Sequence, residues 1–123
     1  MTFSGNELAA IFRLGKMMAN ADGRLHKDEM LVLVKELARF GVPGDHIEPL
    51  ERIGDSMDPS ELLGTIAAMK EEQKKYVAAY LGVILAIDGD IDDAEMKLWG
   101  LVSTLCGLPK ITIKQALEYL DNM

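Results

Sequence analysis

The chain has 123 residues, of which 49% are hydrophobic and only 6% aromatic, which is enough apolar surface for one folded domain and argues against disorder. Its formal charge of −7 disfavours nucleic acid as a partner and favours cations or basic protein surfaces.

The single cysteine, Cys106, excludes an internal disulfide and is typical of a reducing compartment. The longest apolar stretch, 77–87, is shorter than the roughly 20 residues of a transmembrane helix, so we predict a cytoplasmic protein without a membrane span.

The first part of the chain predicts a helix, an Asp-Gly turn and a second helix. Ser4 and Glu7 form a capping box before apolar residues that recur with the helical period. Asp22-Gly23 ends this helix, because glycine readily adopts the left-handed conformation found after many helices. A second helix begins near Lys27. Its predicted core stripe is Met30, Leu33, Val34 and Leu37, and its predicted solvent face is Lys35, Glu36 and Arg39.

Two short helices are predicted in the middle of the chain, one near 45–54 and one from Asp58, with Pro59 at its first position. A longer helix over 71–87 then leads into Asp88-Gly89. The helix after this turn has a predicted core stripe of Met96, Trp99, Val102 and Leu105.

A last helix over about 112–122 completes the predicted secondary structure, which contains no strand. Gly15 and Gly82 fall inside helices, where glycine costs about 1 kcal/mol relative to alanine, so close helix approach is expected at both. The predicted fold is all-α, a compact bundle of about seven helices forming a single domain over 1–123.

The sequence repeats itself at an offset of 66 residues, without a gap from Ile11 to Met57. Each copy, about 6–57 and 72–123, is a helix–Asp-Gly–helix unit, so the bundle is predicted to consist of two diverged repeats. The matching segments are Asp22-Gly23 with Asp88-Gly89, Glu29-Met30 with Glu95-Met96, and Gly41-Val42-Pro43 with Gly107-Leu108-Pro109.

The second Asp-Gly turn is strongly acidic. Five carboxylates fall within eight residues, and hard cations prefer oxygen ligands of this kind. They are Asp88, Asp90, Asp92, Asp93 and Glu95. The segment is not an EF-hand, because Asp93 and Trp99 stand where that loop requires Gly and Glu. A second interpretation needs no metal: Asp88 bonds the backbone of its own turn and Asp92 caps the next helix with Glu95.

An Asp-Gly followed by a Glu on the next helix, occurring twice in an all-helical chain of this size, resembles the TerB-like tellurite-resistance family. The matching residues are Ala21-Asp22-Gly23 with Glu29, and Asp88-Gly89 with Glu95. The resemblance implies a seven-helix fold, a role in stress response and a metal-binding acidic cluster, without enzymatic activity. The first copy departs from an evenly acidic pattern. It has Arg24, His26 and Lys27 where the second has Asp90, Asp92 and Asp93.

Two functional hypotheses follow. In the first, the chain is a non-catalytic binding module of a tellurite or metal stress-response system, with a site for a divalent cation such as Ca²⁺, Mg²⁺ or Mn²⁺. The predicted metal ligands are Asp22, Glu29, Asp88, Asp90, Asp92 and Glu95. In the second, the acidic turns are only helix caps, and the chain is a metal-independent adaptor that recognises a protein partner through an exposed surface. Neither hypothesis assigns catalytic or organic-cofactor residues, and the sequence does not specify an oligomeric state.

Overall fold

The computed structural model describes residues 1–21, 27–87 and 93–123 and confirms the predicted all-α fold. These residues form seven α-helices and one short 3₁₀ segment, with no strand among them. The helices are α1 (Gly5–Ala19), α2 (Lys27–Arg39), α3 (Ile47–Asp55), α4 (Pro59–Ala67), α5 (Glu71–Ala86), α6 (Asp93–Cys106) and α7 (Ile113–Asp121), and the 3₁₀ segment is Gly44–His46. No helix in these ranges is both long enough and apolar enough to cross a membrane.

Short-range hydrogen bonds explain where several helices begin. The hydroxyl of Ser4 accepts from the backbone N–H of Glu7 at 3.2 Å, and the Glu7 carboxylate accepts from the N–H of Ser4 at 2.8 Å. This confirms the predicted capping box of α1. The Asp58 carboxylate accepts from the N–H of Glu61 at 2.8 Å, and Pro59 is the first residue of α4. Both starts are therefore encoded within four residues of sequence.

Corresponding helices begin 66 residues apart. The pairs are Gly5 with Glu71, Lys27 with Asp93, and Ile47 with Ile113. The ends of α2 and α6 also match, because each is followed by a glycine with positive φ, 83° at Gly41 and 65° at Gly107. Two further hydrogen bonds close these ends in the same way: Val42 N–H to Leu37 O at 3.1 Å, and Leu108 N–H to Ser103 O at 2.9 Å.

The first helix of each copy lies at the centre of the bundle. α1 contacts α5, and each of them carries its own pair of helices: α2 and α3 pack on α1, whereas α6 and α7 pack on α5. Most residues of α1 and α5 are buried, including Phe12, Leu14, Tyr76 and Tyr80. α4 follows the first copy and packs against α1 and α6, so it connects the two halves.

The structure corrects three predictions, made from helical periodicity, of which side chains are buried and which are exposed. Glu36, predicted to face water, is only 5% exposed, because α5 brings a hydroxyl partner to it. Met96 and Leu105, predicted to lie in the core stripe of α6, are 42% and 56% exposed. The face of α6 that is actually buried is displaced around the helix from the predicted stripe, although Trp99 and Val102 belong to both. Its buried residues are Glu95, Trp99, Val102, Ser103 and Cys106.

Glycine allows helices to approach closely at three positions. The prediction for Gly15 and Gly82 is confirmed: a Cβ at Gly15 would collide with the Tyr80 hydroxyl, and one at Gly82 would lie 2.8 Å from the Cβ of Ala116. Gly54 is a third case that the sequence did not suggest. A Cβ there would lie 2.6 Å from the backbone oxygen of Ala9.

These contacts predict unequal effects of glycine-to-alanine substitutions. Gly54→Ala and Gly82→Ala should each lower the free energy of unfolding by about 1–3 kcal/mol, because the added methyl overpacks a helix crossing. Gly64→Ala is the matched control, since its added Cβ would meet no heavy atom within 4 Å beyond the adjacent residues and the nearby backbone of its own helix. This control should raise the free energy of unfolding by up to about 1 kcal/mol through helix propensity. Chemical denaturation followed by circular dichroism measures all three, and equal effects would contradict the described crossings.

Candidate functional site

The predicted metal ligands divide into two groups in the structure. Asp22, Asp88, Asp90 and Asp92 lie outside the described residues. Glu29 and Glu95 are described, and both occupy the third position of their helix, α2 and α6 respectively. Within 1–21, 27–87 and 93–123, no three His, Cys, Asp or Glu side chains form a group that could hold a metal ion.

Glu29 and Glu95 are nevertheless unusual for charged residues in the first turn of a helix. They are 1% and 2% exposed, respectively, and each has an interaction partner in the protein. Burial of a carboxylate is costly unless hydrogen bonds or charges compensate for it, and the partial positive charge of a helix N-terminus supplies part of that compensation. The two copies of the repeat therefore bury the same acidic residue at the same place.

A third buried glutamate, Glu36, anchors a polar network between α2 and α5. Its carboxylate accepts a hydrogen bond from the Tyr76 hydroxyl at 2.7 Å and two from the Arg39 guanidinium at 3.1 and 3.3 Å. Burial, reinforced by the nearby Glu36 carboxylate, raises the pKa of Tyr76 far above its ordinary value. Burial and the same carboxylate also raise the pKa of Tyr80, so both tyrosines stay protonated and Tyr76 remains a donor.

Aromatic rings continue this network towards the N-terminus. Phe3 and Phe40 meet edge to face with centroids 5.0 Å apart, and Phe40 packs in the same way on Tyr76. The 66-residue alignment pairs Phe40 with Cys106 of the second copy and Tyr76 with Ala10 of the first, and both of these smaller side chains are buried. On that side the helix α4 is present instead, and the Cys106 thiol donates to the Leu63 carbonyl with an Sγ–O distance of 3.7 Å.

An apolar groove lies where α4 meets α1 and α6, and we call it the α6 groove. It encloses about 170 Å³, and Arg13 is the charged residue among the described side chains that line it. Its other lining residues are Leu14, Met17, Met57, Pro59, Leu62, Leu63, Leu98, Leu101, Val102 and Leu105. An apolar concavity of this composition is suited to an apolar ligand surface.

On the α6 side of the groove, two leucines keep more than half of their surface exposed to solvent. Leu101 and Leu105 are each 56% exposed. The corresponding residues of α2 are the charged Lys35 and Arg39. The two copies thus share the buried side of this helix and differ in the chemistry of its outer face.

Ion pairs bind the α1 side of the groove to α3. Asp55 accepts from Arg13 at 2.9 Å and from Lys16 at 3.1 Å, and Lys16 also lies 3.3 Å from Glu51. The hydrogen bond from Lys16 outweighs partial desolvation and, with the Arg13 contact, holds the pKa of Asp55 below its ordinary value. Asp55 therefore remains ionised at neutral pH, and the two cations are already matched by carboxylates.

A wider cleft of about 460 Å³ lies on the other side of α6, beside the segment that leads into α7. Trp99, Ser103 and Lys110 contribute to its lining. The indole Nε1 of Trp99 is buried and has no hydrogen-bond partner among the residues described. This cleft mixes apolar side chains with hydroxyl and charged ones, whereas apart from Arg13 the α6 groove is lined by apolar residues, so the α6 groove is the stronger candidate for an apolar binding surface.

Sequence reasoning did not identify this groove, although part of its signal was present. The 66-residue alignment pairs Lys35 with Leu101 and Arg39 with Leu105, which are charged-to-apolar differences at positions predicted to face water in the first copy. The assignment of Leu105 to the core hid that signal. The contribution of α4 could not be inferred, because helical periodicity does not specify which neighbour a helix contacts.

No family model and no curated protein matches this sequence. Among solved structures, the chain is similar to PG1108, a protein of unknown function from Porphyromonas gingivalis W83, with 50% sequence identity and a TM-score of 0.86. The similarity covers 98% of this chain and 92% of that chain. The chain belongs to the same family as PG1108, and its TerB-like resemblance stays a prediction.

The buried Glu36 network can be tested through its hydroxyl donor. Tyr76→Phe should lower the free energy of unfolding by about 1–3 kcal/mol, because it removes a hydrogen bond from a buried carboxylate. Tyr119→Phe is the control, since Tyr119 is half-buried and its ring lies against the Lys75 ammonium group. The control should change the free energy by no more than about 0.5 kcal/mol. Urea denaturation compares the two variants, and a neutral Tyr76→Phe would contradict a stabilising role for this bond.

Proposed function

We propose that this chain, and with it the family of PG1108, is a non-catalytic protein-interaction module that receives its partner in the α6 groove. The observation that carries the proposal is the 56% exposure of both Leu101 and Leu105. Leucines that remain exposed beside an apolar concavity mark an interaction surface more often than isolated surface leucines do. The proposed location of the module is the cytoplasm, where its single thiol would remain reduced.

The comparison between the repeat copies supports this assignment. Lys35 and Arg39 show that the same helix face can carry charged residues in this fold. The fold therefore does not require apolar residues at positions 101 and 105, where each leucine keeps more than half of its surface exposed. A partner that covers both side chains would remove that apolar surface from water, at roughly 25 cal/mol per Å².

Site-specific photo-cross-linking in the native cells tests the proposal. A photoreactive amino acid in place of Leu105 should give a protein adduct of discrete mass, and the added substitution Leu101→Lys should abolish it. The same amino acid in place of Leu31 is the matched control, because Leu31 lies on α2 outside the groove and is 61% exposed. Leu101→Lys should change stability by no more than about 0.5 kcal/mol. Equal adducts from positions 105 and 31, or adducts insensitive to Leu101→Lys, would contradict the proposal.

A second candidate function is the binding of a divalent cation. The specific observation in its favour is that Glu29 and Glu95, at matching positions of the repeat, are both buried directly after the Asp-Gly segments. Carboxylates in such a set would bind Ca²⁺, Mg²⁺ or Mn²⁺ through oxygen atoms. The TerB-like resemblance implies a role in tellurite or metal stress response, and we propose this role only together with cation binding.

Thermal unfolding in chelator and then in excess Ca²⁺, Mg²⁺ or Mn²⁺ tests the cation proposal. An ion at about 100 times its dissociation constant adds about 2.7 kcal/mol, which raises the midpoint of a domain of this size by several degrees. We expect the rise in the wild type and in the control Asp45→Asn, which alters an exposed carboxylate elsewhere. Asp88→Asn and Glu95→Gln should abolish it. Identical wild-type unfolding midpoints in chelator and in every ion would contradict cation binding and favour the interpretation of the acidic residues as helix caps.

A further inference from the structure

The exposed side of α6 has the residue spacing of a helix-packing surface. Leu98, Leu101 and Leu105 are separated by three and four residues, so their side chains form one row along the helix. Leu98 is half-buried, whereas the other two are mostly exposed. Rows of this kind fit between the side chains of a second helix, which is how helices pack in bundles.

The surface formed by α1 and α6 already accommodates one helix. α4 contacts both of them, and the Leu63 carbonyl of α4 receives the thiol of Cys106. Pro59, Leu62 and Leu63 of α4 then form one wall of the groove. The groove is therefore continuous with an existing helix–helix interface, and a further helix lying beside α4 would extend the same packing.

The charges around the groove favour a basic partner. On α1, Arg13 and Lys16 are paired with Asp55 and Glu51. At the start of α4 the Asp58 and Glu61 side chains are exposed. Among the described contacts, the Asp58 carboxylate accepts a hydrogen bond from the backbone and pairs with no cation. On the outer side of α6, the exposed Lys97 and Asp93 balance each other. With a chain charge of −7, the long-range field attracts cations.

We propose that the occupant of the α6 groove is an amphipathic helix of a partner protein, with an apolar row of leucine-sized residues and Lys or Arg along its polar edges. This inference rests on the proposed interaction function and adds the chemistry of the partner. The leucine row of α6 supplies the apolar contact, and the acidic residues at the start of α4 supply the attraction to the basic edges.

Synthetic peptides test the partner chemistry directly. A helical peptide of about 18 residues, or five turns, carries leucines at helical spacing with lysines at its edges, and a second peptide replaces these lysines with glutamates. Fluorescence anisotropy should show that the wild type binds the lysine peptide at least about tenfold more tightly than the glutamate peptide. The double variant Leu101→Gln/Leu105→Gln should lose at least about tenfold in affinity for the lysine peptide, since it removes the two exposed leucines of the row at unchanged charge. Leu31→Gln, the control outside the groove, should bind as the wild type does.

The outcomes separate this inference from the function on which it rests. Equal binding of the lysine peptide by the wild type and the double glutamine variant would overturn the inference, because the attraction would then be purely electrostatic. Equal or tighter binding of the glutamate peptide would overturn it as well. Sedimentation that shows a dimer, dissociated by Leu105→Gln, would identify a second copy as the occupant and overturn the inference while preserving the docking surface. If neither peptide binds but position 105 still cross-links specifically, the inference on the partner's chemistry is overturned and the docking surface is preserved.

Discussion

The close packing of α1 against α5 is the contact on which the rest of the structure depends. Gly15 makes it possible, since any side chain there would collide with the Tyr80 hydroxyl and with Leu33. Each of the two helices then buries the apolar face of its own pair, α2 with α3 and α6 with α7. The two copies of the repeat therefore form one core, and a change at the central crossing would affect helices from both.

The two halves differ because the space beside each central helix is filled in a different way. On one side of the bundle, two large side chains meet, Phe40 of the first copy and Tyr76 of the second, and Phe3 packs on both. The 66-residue alignment pairs them with small side chains, Cys106 of the second copy and Ala10 of the first, and the helix α4 lies against that side of the bundle. The α6 groove arises from this asymmetry, since α4 is one of its walls and has no counterpart among the described helices of the second copy.

One helix, α6, carries a feature of each functional proposal, although the cation proposal also depends on Glu29 of α2. α6 has Glu95 in its first turn and the row of Leu98, Leu101 and Leu105 farther along. Its buried side is required by the fold, because Trp99 and Val102 pack in the core. The outer side is free of that requirement and carries apolar residues where α2 carries charges. The two copies thus share the buried side of this helix and differ on its outer side, and it is on such surfaces that function differs between proteins of one fold.

The sequence by itself determined the local features of this protein. The helix starts at Ser4 and Asp58 and the glycine-terminated ends at Gly41 and Gly107 depend on residues a few positions apart. The 66-residue offset needs only a comparison of the sequence with itself. The close approaches at Gly15 and Gly82 were also predictable, because glycine inside a helix is costly unless a close contact requires it. The acidic residues of the Asp-Gly segments could be recognised in the same way, but their ligand chemistry remains a prediction.

The tertiary structure decided which of two adjacent helix faces is buried. Glu36 is buried because a tyrosine from α5, forty residues away in sequence, donates a hydrogen bond to it. Leu105 is exposed because the neighbours of α6 cover the side that carries Trp99 and Val102. Helical periodicity identifies a stripe, but a helix with apolar residues around much of its circumference offers several. The choice among them depends on long-range packing, which no local sequence pattern contains.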